Sequence, residues 1–133
     1  MSDVGTPQAV EDLRVRLGEL RFRLESEYAG GMGGLEQIFA GTVGGTGIRV
    51  RITADRGHWV IQLQVDPMSA WIVPGVWIAH LDDTEVEYLT IDEQAAFTAE
   101  RIGELPPAAA TIGGLEGRLI RMGEDYMRRR GRR

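Results

Sequence analysis

Between Ile48 and Val65 the chain alternates with a strict period of two. Ile48, Val50 and Ile52 are separated by Arg49 and Arg51, and Asp55-Arg56-Gly57 interrupts the run. Trp59, Ile61, Leu63 and Val65 then alternate with His58, Val60, Gln62 and Gln64. Successive side chains of a strand point to opposite faces, so this pattern predicts two half-buried strands. A short connection containing Gly57 joins them as a β-hairpin. One face is expected to pack and the other to face water, with His58 on the wet side.

The flanking segments extend this into an α+β fold. Thr6-Pro7 reads as a helix entry, with Thr6 as cap and Pro7 in the first turn. Val10, Leu13 and Leu17 recur at helical spacing, and Gly18 is expected to end that helix. Leu20–Tyr28 alternates and predicts a strand, with a helix continued to Tyr28 as the rival reading. Gly30-Gly31-Met32-Gly33-Gly34 predicts a turn, Leu35–Val43 a strand, and Gly44-Gly45-Thr46-Gly47 a second turn. Asp66-Pro67 ends the sheet region, because proline donates nothing to a ladder.

Helices follow. Pro74 opens a short one through Val76, Trp77, Ala79 and His80. Thr90-Ile91-Asp92-Glu93 has the spacing of a capping box, from which a helix runs to about Leu105 until Pro106-Pro107 breaks it. A last helix runs from Leu115 to about Arg129, with Leu115, Leu119, Met122 and Tyr126 on one stripe. The expected architecture is a meander of about four antiparallel strands after an N-terminal helix, packed against two to three C-terminal helices. A single domain spanning 1–133 is expected, with 128–133 as a basic, frayed tail.

Composition excludes several chemistries. The 133 residues contain no Cys, no Lys and no Asn. Disulfides, thiolate nucleophiles and zinc ribbons therefore fall away. So do a Walker-A lysine and Schiff-base catalysis. Fifteen Arg beside no Lys reads as GC-rich codon usage rather than selected arginine chemistry. No apolar run approaches the ~20 residues of a membrane span, and the N-terminus lacks signal-peptide features, so a soluble cytoplasmic protein is expected.

The net charge of −5 is unevenly placed: residues 1–117 balance to −10 and residues 118–133 to +5. An acidic body argues against a nucleic-acid partner, and the arginines of the tail complement the dipole at the end of the last helix.

The glycine loops lead into strands rather than opening helices, which rules against a dinucleotide cradle. His58 and His80 are the only histidines, too few for a metal site without carboxylates brought in by the fold. None of Ser2, Ser26 or Ser69 sits in G-x-S-x-G. A paired-carboxylate hydrolase, or a sheet site of His, Glu and Arg, stays open as an alternative. The expectation is no catalytic residue, no metal and no cofactor.

The densest functional signal is acidic. Asp82, Asp83, Glu85, Glu87, Asp92 and Glu93 place six carboxylates within twelve residues and no base among them. One reading is a solvated loop whose last two acids favour a helix N-terminus. The other is a negative surface that steers a basic partner. Tyr88, Trp77 and Trp71 would be its aromatic anchors. On that reading the partner-binding residues are Asp82, Asp83, Glu85, Glu87, Tyr88, Trp77 and Trp71.

The strand–Asp-Arg-Gly–aromatic strand over 51–63, followed by Trp-bearing residues and Glu93-Gln94-Ala95-Ala96-Phe97, resembles small actinobacterial immunity proteins of polymorphic toxin systems. The resemblance covers roughly residues 20–105. It implies a cytoplasmic, non-enzymatic protein that blocks a cognate toxin, and the acidic face fits a basic toxin domain; the resemblance assigns no residue a role. The alternatives are a small-molecule-binding or hydrolytic α+β domain, and a structural adaptor subunit for which an unpaired sheet edge is a dimer seam.

Overall fold

The structure, a computed structural model, describes residues 5–30, 34–110 and 115–130. Residues 1–4, on which the signal-peptide reading falls, the central residues 31–33 of the first glycine turn and the last three residues of the tail lie outside the described residues. The chain folds as α1 (Gln8–Glu19), β1 (Arg23–Ala29), β2 (Leu35–Val43), β3 (Thr46–Asp55), β4 (His58–Val65), α2 (Pro74–Asp82), α3 (Ile91–Arg101), a 3₁₀ turn (Ile102–Glu104), α4 (Leu105–Ala110) and α5 (Leu115–Arg130). The strands form one open antiparallel sheet in sequence order, and the helices pack against it. This is the expected α+β class.

The hairpin that organises the sequence also organises the core. Ile48, Val50, Ile52 and Ala54 of β3 and Trp59, Ile61, Leu63 and Val65 of β4 are all buried on one face. They oppose one another across the ladder, Val50 facing Leu63 and Ile52 facing Ile61. Asp55 pairs with His58, leaving a two-residue turn. Both of its residues take left-handed backbone, Arg56 at φ 53° and Gly57 at φ 82°, the turn whose twist matches that of paired strands. Val10, Leu13 and Leu17 of α1 and Ala95 and Phe97 of α3 close this face.

The two edges of the sheet differ. On β4, the Leu63 N–H donates to the Ile72 carbonyl at 2.8 Å and the Ile72 N–H returns to Leu63 at 3.0 Å. The Ile61 N–H donates to Gln94 Oε1 at 2.9 Å, and Gln94 Nε2 donates to the Leu89 carbonyl at 3.1 Å. That edge is sealed. On the opposite edge every residue of β1 is exposed, and the pairing shifts at a bulge between Leu24 and Ser26. A bulge and charged side chains are the usual protection of a bare edge.

Four expectations are corrected. Pro7 stands at the N-cap position of α1 rather than in its first turn. Gly18 does not end α1. The Phe22 N–H reaches the Leu17 carbonyl at 2.9 Å and the Arg21 N–H reaches Gly18 at 3.0 Å, a Schellman motif in which Arg21, at φ 66°, takes the place usually held by glycine. Phe22 and Leu17 are both buried beneath it. The turn uses up the first three residues of the alternating run, so the strand starts at Arg23 rather than Leu20. Last, Pro106-Pro107 does not break the helical region, since α3 has already ended and the prolines fill the first turn of α4, where no intrahelical N–H is required.

Left-handed backbone disfavours any side chain, whereas glycine adopts it freely but is more costly to order. Replacing Arg21 by glycine should stabilise the protein by about 0.5–1 kcal/mol. Urea denaturation checks this, with Arg21→Ala as the control that gains nothing because it keeps the Cβ.

Candidate functional site

The segment after α2 turns back across that helix. Asp83 closes α2 in left-handed backbone at φ 54°, and the Thr84 N–H donates to the Ala79 carbonyl at 3.0 Å. Residues 86–89 then lie over the first turn of α2, where buried Gly75 has no side chain to keep them off. At Thr90 both bonds of the capping box form: the Glu93 N–H donates to the Thr90 hydroxyl at 3.2 Å, and the Thr90 N–H to the Glu93 carboxylate at 2.9 Å.

The carboxylates of this run are not equivalent. Asp82 is gripped by the Arg101 guanidinium at 2.7 and 3.0 Å, and Arg101 also holds Glu104 at 2.9 Å. Hydrogen bonding to Arg101 pulls both carboxyls below the ordinary range. Asp82 is therefore ion-paired, sharing one guanidinium with Glu104. Glu93 is used by its own helix cap, which leaves Asp83, Glu85, Glu87 and Asp92 as exposed acids. The negative patch is narrower than six carboxylates in a row suggest.

The three expected aromatic anchors separate. Trp77 is 0% exposed and belongs to the core, so it is removed from the set of surface anchors. Trp71 is half-buried on the outer sheet face, where the Arg51 guanidinium lies 4.6 Å from its ring centre. Arg51 also bonds Gln62 and pairs with Glu36 at 3.8 Å. Tyr88 is 59% exposed, and the Arg130 guanidinium lies 5.3 Å from its ring centre.

That contact brings α5 into the site. The helix runs to Arg130, so residues 128–130 of the basic tail are helical. Leu119 is fully buried, and Gly123 lies where the helix passes Val76. Glu116 fastens the first turn: its Oε2 accepts the Ser69 N–H at 2.9 Å, the Ser69 hydroxyl at 3.1 Å and the Ala70 N–H at 2.6 Å.

Those donors, the Ala70 amide first, hold the Glu116 carboxyl below its usual range. A depressed folded pKa means a contribution present above the unfolded value, near 4.5, and lost as pH falls through the folded one. Glu116→Gln should cost about 1 kcal/mol at neutral pH, and its difference from the unchanged chain should vanish in acid. Melting curves across pH check both effects.

Between α5, the 86–89 segment and residues 71–73 runs a groove of about 960 Å³. Of the seven large apolar or aromatic side chains left exposed among the described residues, four (Val73, Tyr88, Ile120 and Met127) line it. Glu87 and Glu124 carry acid along its walls, and Arg128 and Arg130 carry base. A hollow of about 220 Å³ adjoins it, formed by Glu85, Val86, Tyr126, Arg129 and Arg130.

No family model, no curated protein and no solved structure matches this chain.

The groove therefore speaks through its own chemistry. Four of its lining side chains are large apolar or aromatic groups left exposed. His58 lines one end, exposed as expected. His80 is half-buried in α2 with its Nδ1 unpartnered among the described residues, and burial, then Arg118, lowers its pKa. Among the described residues no three His, Asp or Glu side chains are grouped to hold a metal ion. No helix there is long and apolar enough to cross a membrane.

Of the residues expected to bind a partner, Trp71, Glu87 and Tyr88 meet in the groove, and Glu85 lines the adjoining hollow. Asp82 and Asp83 line neither. Val73, Ile120, Met127 and Arg130 were missed. Their signal was present: Ile120 and Met127 fall outside the stripe of Leu119, Met122 and Tyr126, so the helix has more apolar surface than one buried face accounts for.

Proposed function

We propose that this chain is a non-enzymatic protein-binding module of the immunity or antitoxin kind, which blocks a cognate basic toxin by receiving one of its segments in the groove. The supporting observation is the clustering of exposed Val73, Tyr88, Ile120 and Met127 in a single groove. Water-facing apolar groups gathered into one patch mark interaction surfaces, whereas the same groups scattered singly need no explanation. Glu85 and Glu87 beside that patch supply orientation and steer a positively charged partner. The protein is proposed to act in the cytoplasm.

The test is co-expression with the product of the adjacent gene, scored by growth rescue and by co-purification. The unchanged chain should rescue, and the Ile120→Glu/Met127→Glu variant should fold with the same circular dichroism spectrum yet fail. Rescue by that variant, or a harmless neighbouring product, rejects the reading. A second reading, a small-molecule site, draws on the groove's volume, which lies within the range of ligand pockets. It requires a ligand that raises the melting temperature in a metabolite panel.

A further inference from the structure

The groove ends in an aromatic pair that is occupied by the chain's own side chain. The Arg130 guanidinium lies 5.3 Å from the Tyr88 ring centre and 5.7 Å from that of Tyr126. Both distances lie within the reach over which a cation is attracted to a ring face. Glu85 and Arg129 line the adjoining hollow with Tyr126 and Arg130, which brings an acidic residue to the Tyr126 side of the seat. Two phenol faces and an acid fit a flat, weakly hydrated guanidinium better than a compact, strongly hydrated ammonium.

Arg130 holds this position on weak terms. It is exposed, it is the last described residue of α5, and Tyr88 remains 59% exposed beneath it. A cation over an exposed ring is worth only about 0.5–1 kcal/mol. The apolar floor, with Met127 and Ile120, continues away from the hollow. The site thus combines a guanidinium seat with an adjoining apolar track.

Resting on the reading of the groove as a protein-binding surface, we infer that the partner's segment presents an arginine flanked by apolar residues, and that this arginine displaces Arg130 from between Tyr88 and Tyr126. Arg130 is then an intramolecular competitor. It fills the seat in the free protein and lowers apparent affinity by the fraction of time it is bound. Glu85 and the basic end of α5, opposite in charge, line one hollow, so the seat holds its own stand-in.

The test uses the full chain and three acetylated, amidated pentapeptides, Leu-Ala-X-Ala-Leu, in which X is arginine, lysine or citrulline. Citrulline keeps the shape of arginine and removes its charge. Binding is read from the ring resonances of Tyr88 and Tyr126 and from titration. The arginine peptide should move both rings and bind the Arg130→Ala variant about threefold to sixfold more tightly than the unchanged chain. The lysine peptide should bind more weakly and the citrulline peptide weakest. Tyr88→Phe should keep binding and Tyr88→Leu should lose it.

Equal binding of the arginine and citrulline peptides overturns the inference, as does indifference to Arg130→Ala. So does a dimer by light scattering that dissociates in the Ile120→Glu/Met127→Glu variant, because a second copy would then fill the groove. Failure here leaves the broader reading standing if that same variant still abolishes toxin rescue. Failure of rescue by the unchanged chain removes the broader reading itself.

Discussion

Truncating Trp77 to alanine should cost about 3–5 kcal/mol, the largest loss expected from a single side chain in this protein. The ring is 0% exposed and joins the core cluster with Val76, Leu105 and Leu119. Removing it leaves a cavity that close-packed neighbours fill only incompletely. Against a typical total stability of about 5–15 kcal/mol, much of the folded population is at risk. Trp77→Phe should cost far less, about 1 kcal/mol, because the indole Nε1 is buried without a hydrogen-bond partner among the described residues and its removal relieves that group. Urea titration of both variants settles the role of Trp77. A surface anchor would lose binding and keep its stability, whereas a core residue does the reverse.

The second large effect is expected at Gly75. A Cβ there would lie 2.6 Å from the Glu87 carbonyl oxygen, a backbone atom with no rotamer to yield. Alanine is otherwise the better helix former by about 1 kcal/mol, so a net destabilisation would isolate the clash. Gly75→Ala should cost about 1–3 kcal/mol and lift residues 86–89 from α2. Glu87 and Tyr88 would move with them, so partner capture should fall more than stability does. Unaltered capture by a folded Gly75→Ala protein would detach the 86–89 segment from the site.

These two residues show where sequence reading succeeds and where it stops. Alternation placed β3 and β4 almost to the residue, since a period of two together with a tight turn has few other outcomes. The Thr90–Glu93 spacing fixed the start of α3 for an equally local reason, both partners of the cap lying within one turn. The Schellman turn escaped notice because its left-handed residue is Arg21, and nothing in an arginine announces that backbone. Trp77 read as an anchor because short apolar helices show no dominant face, and burial on all sides depends on what folds over them.

The candidate site was legible in its charge and not in its ion pairs. Asp82 meets Arg101 nineteen residues on, and Tyr88 meets Arg130 from the far end of the chain. Pairings across such separations are made by topology, and no local pattern records them. The acidic body and basic tail read as separate regions in the sequence; in the fold, Glu85 and the end of α5 are opposite walls of one hollow.

The way α5 is fastened carries one more consequence. Glu116, Leu119 and the passage of Gly123 over Val76 attach a sixteen-residue helix through a narrow line of contact, while β3 is hydrogen-bonded along both sides. Backbone amides in these two places are therefore expected to exchange with solvent by different routes: those of β3 only when the whole domain opens, those of α5 through a smaller and more frequent release. Whatever lies in the groove must be lost or trapped in that smaller event. Slowed exchange at residues 119–127, with β3 unchanged, would be the signature of an occupied groove before its occupant has a name.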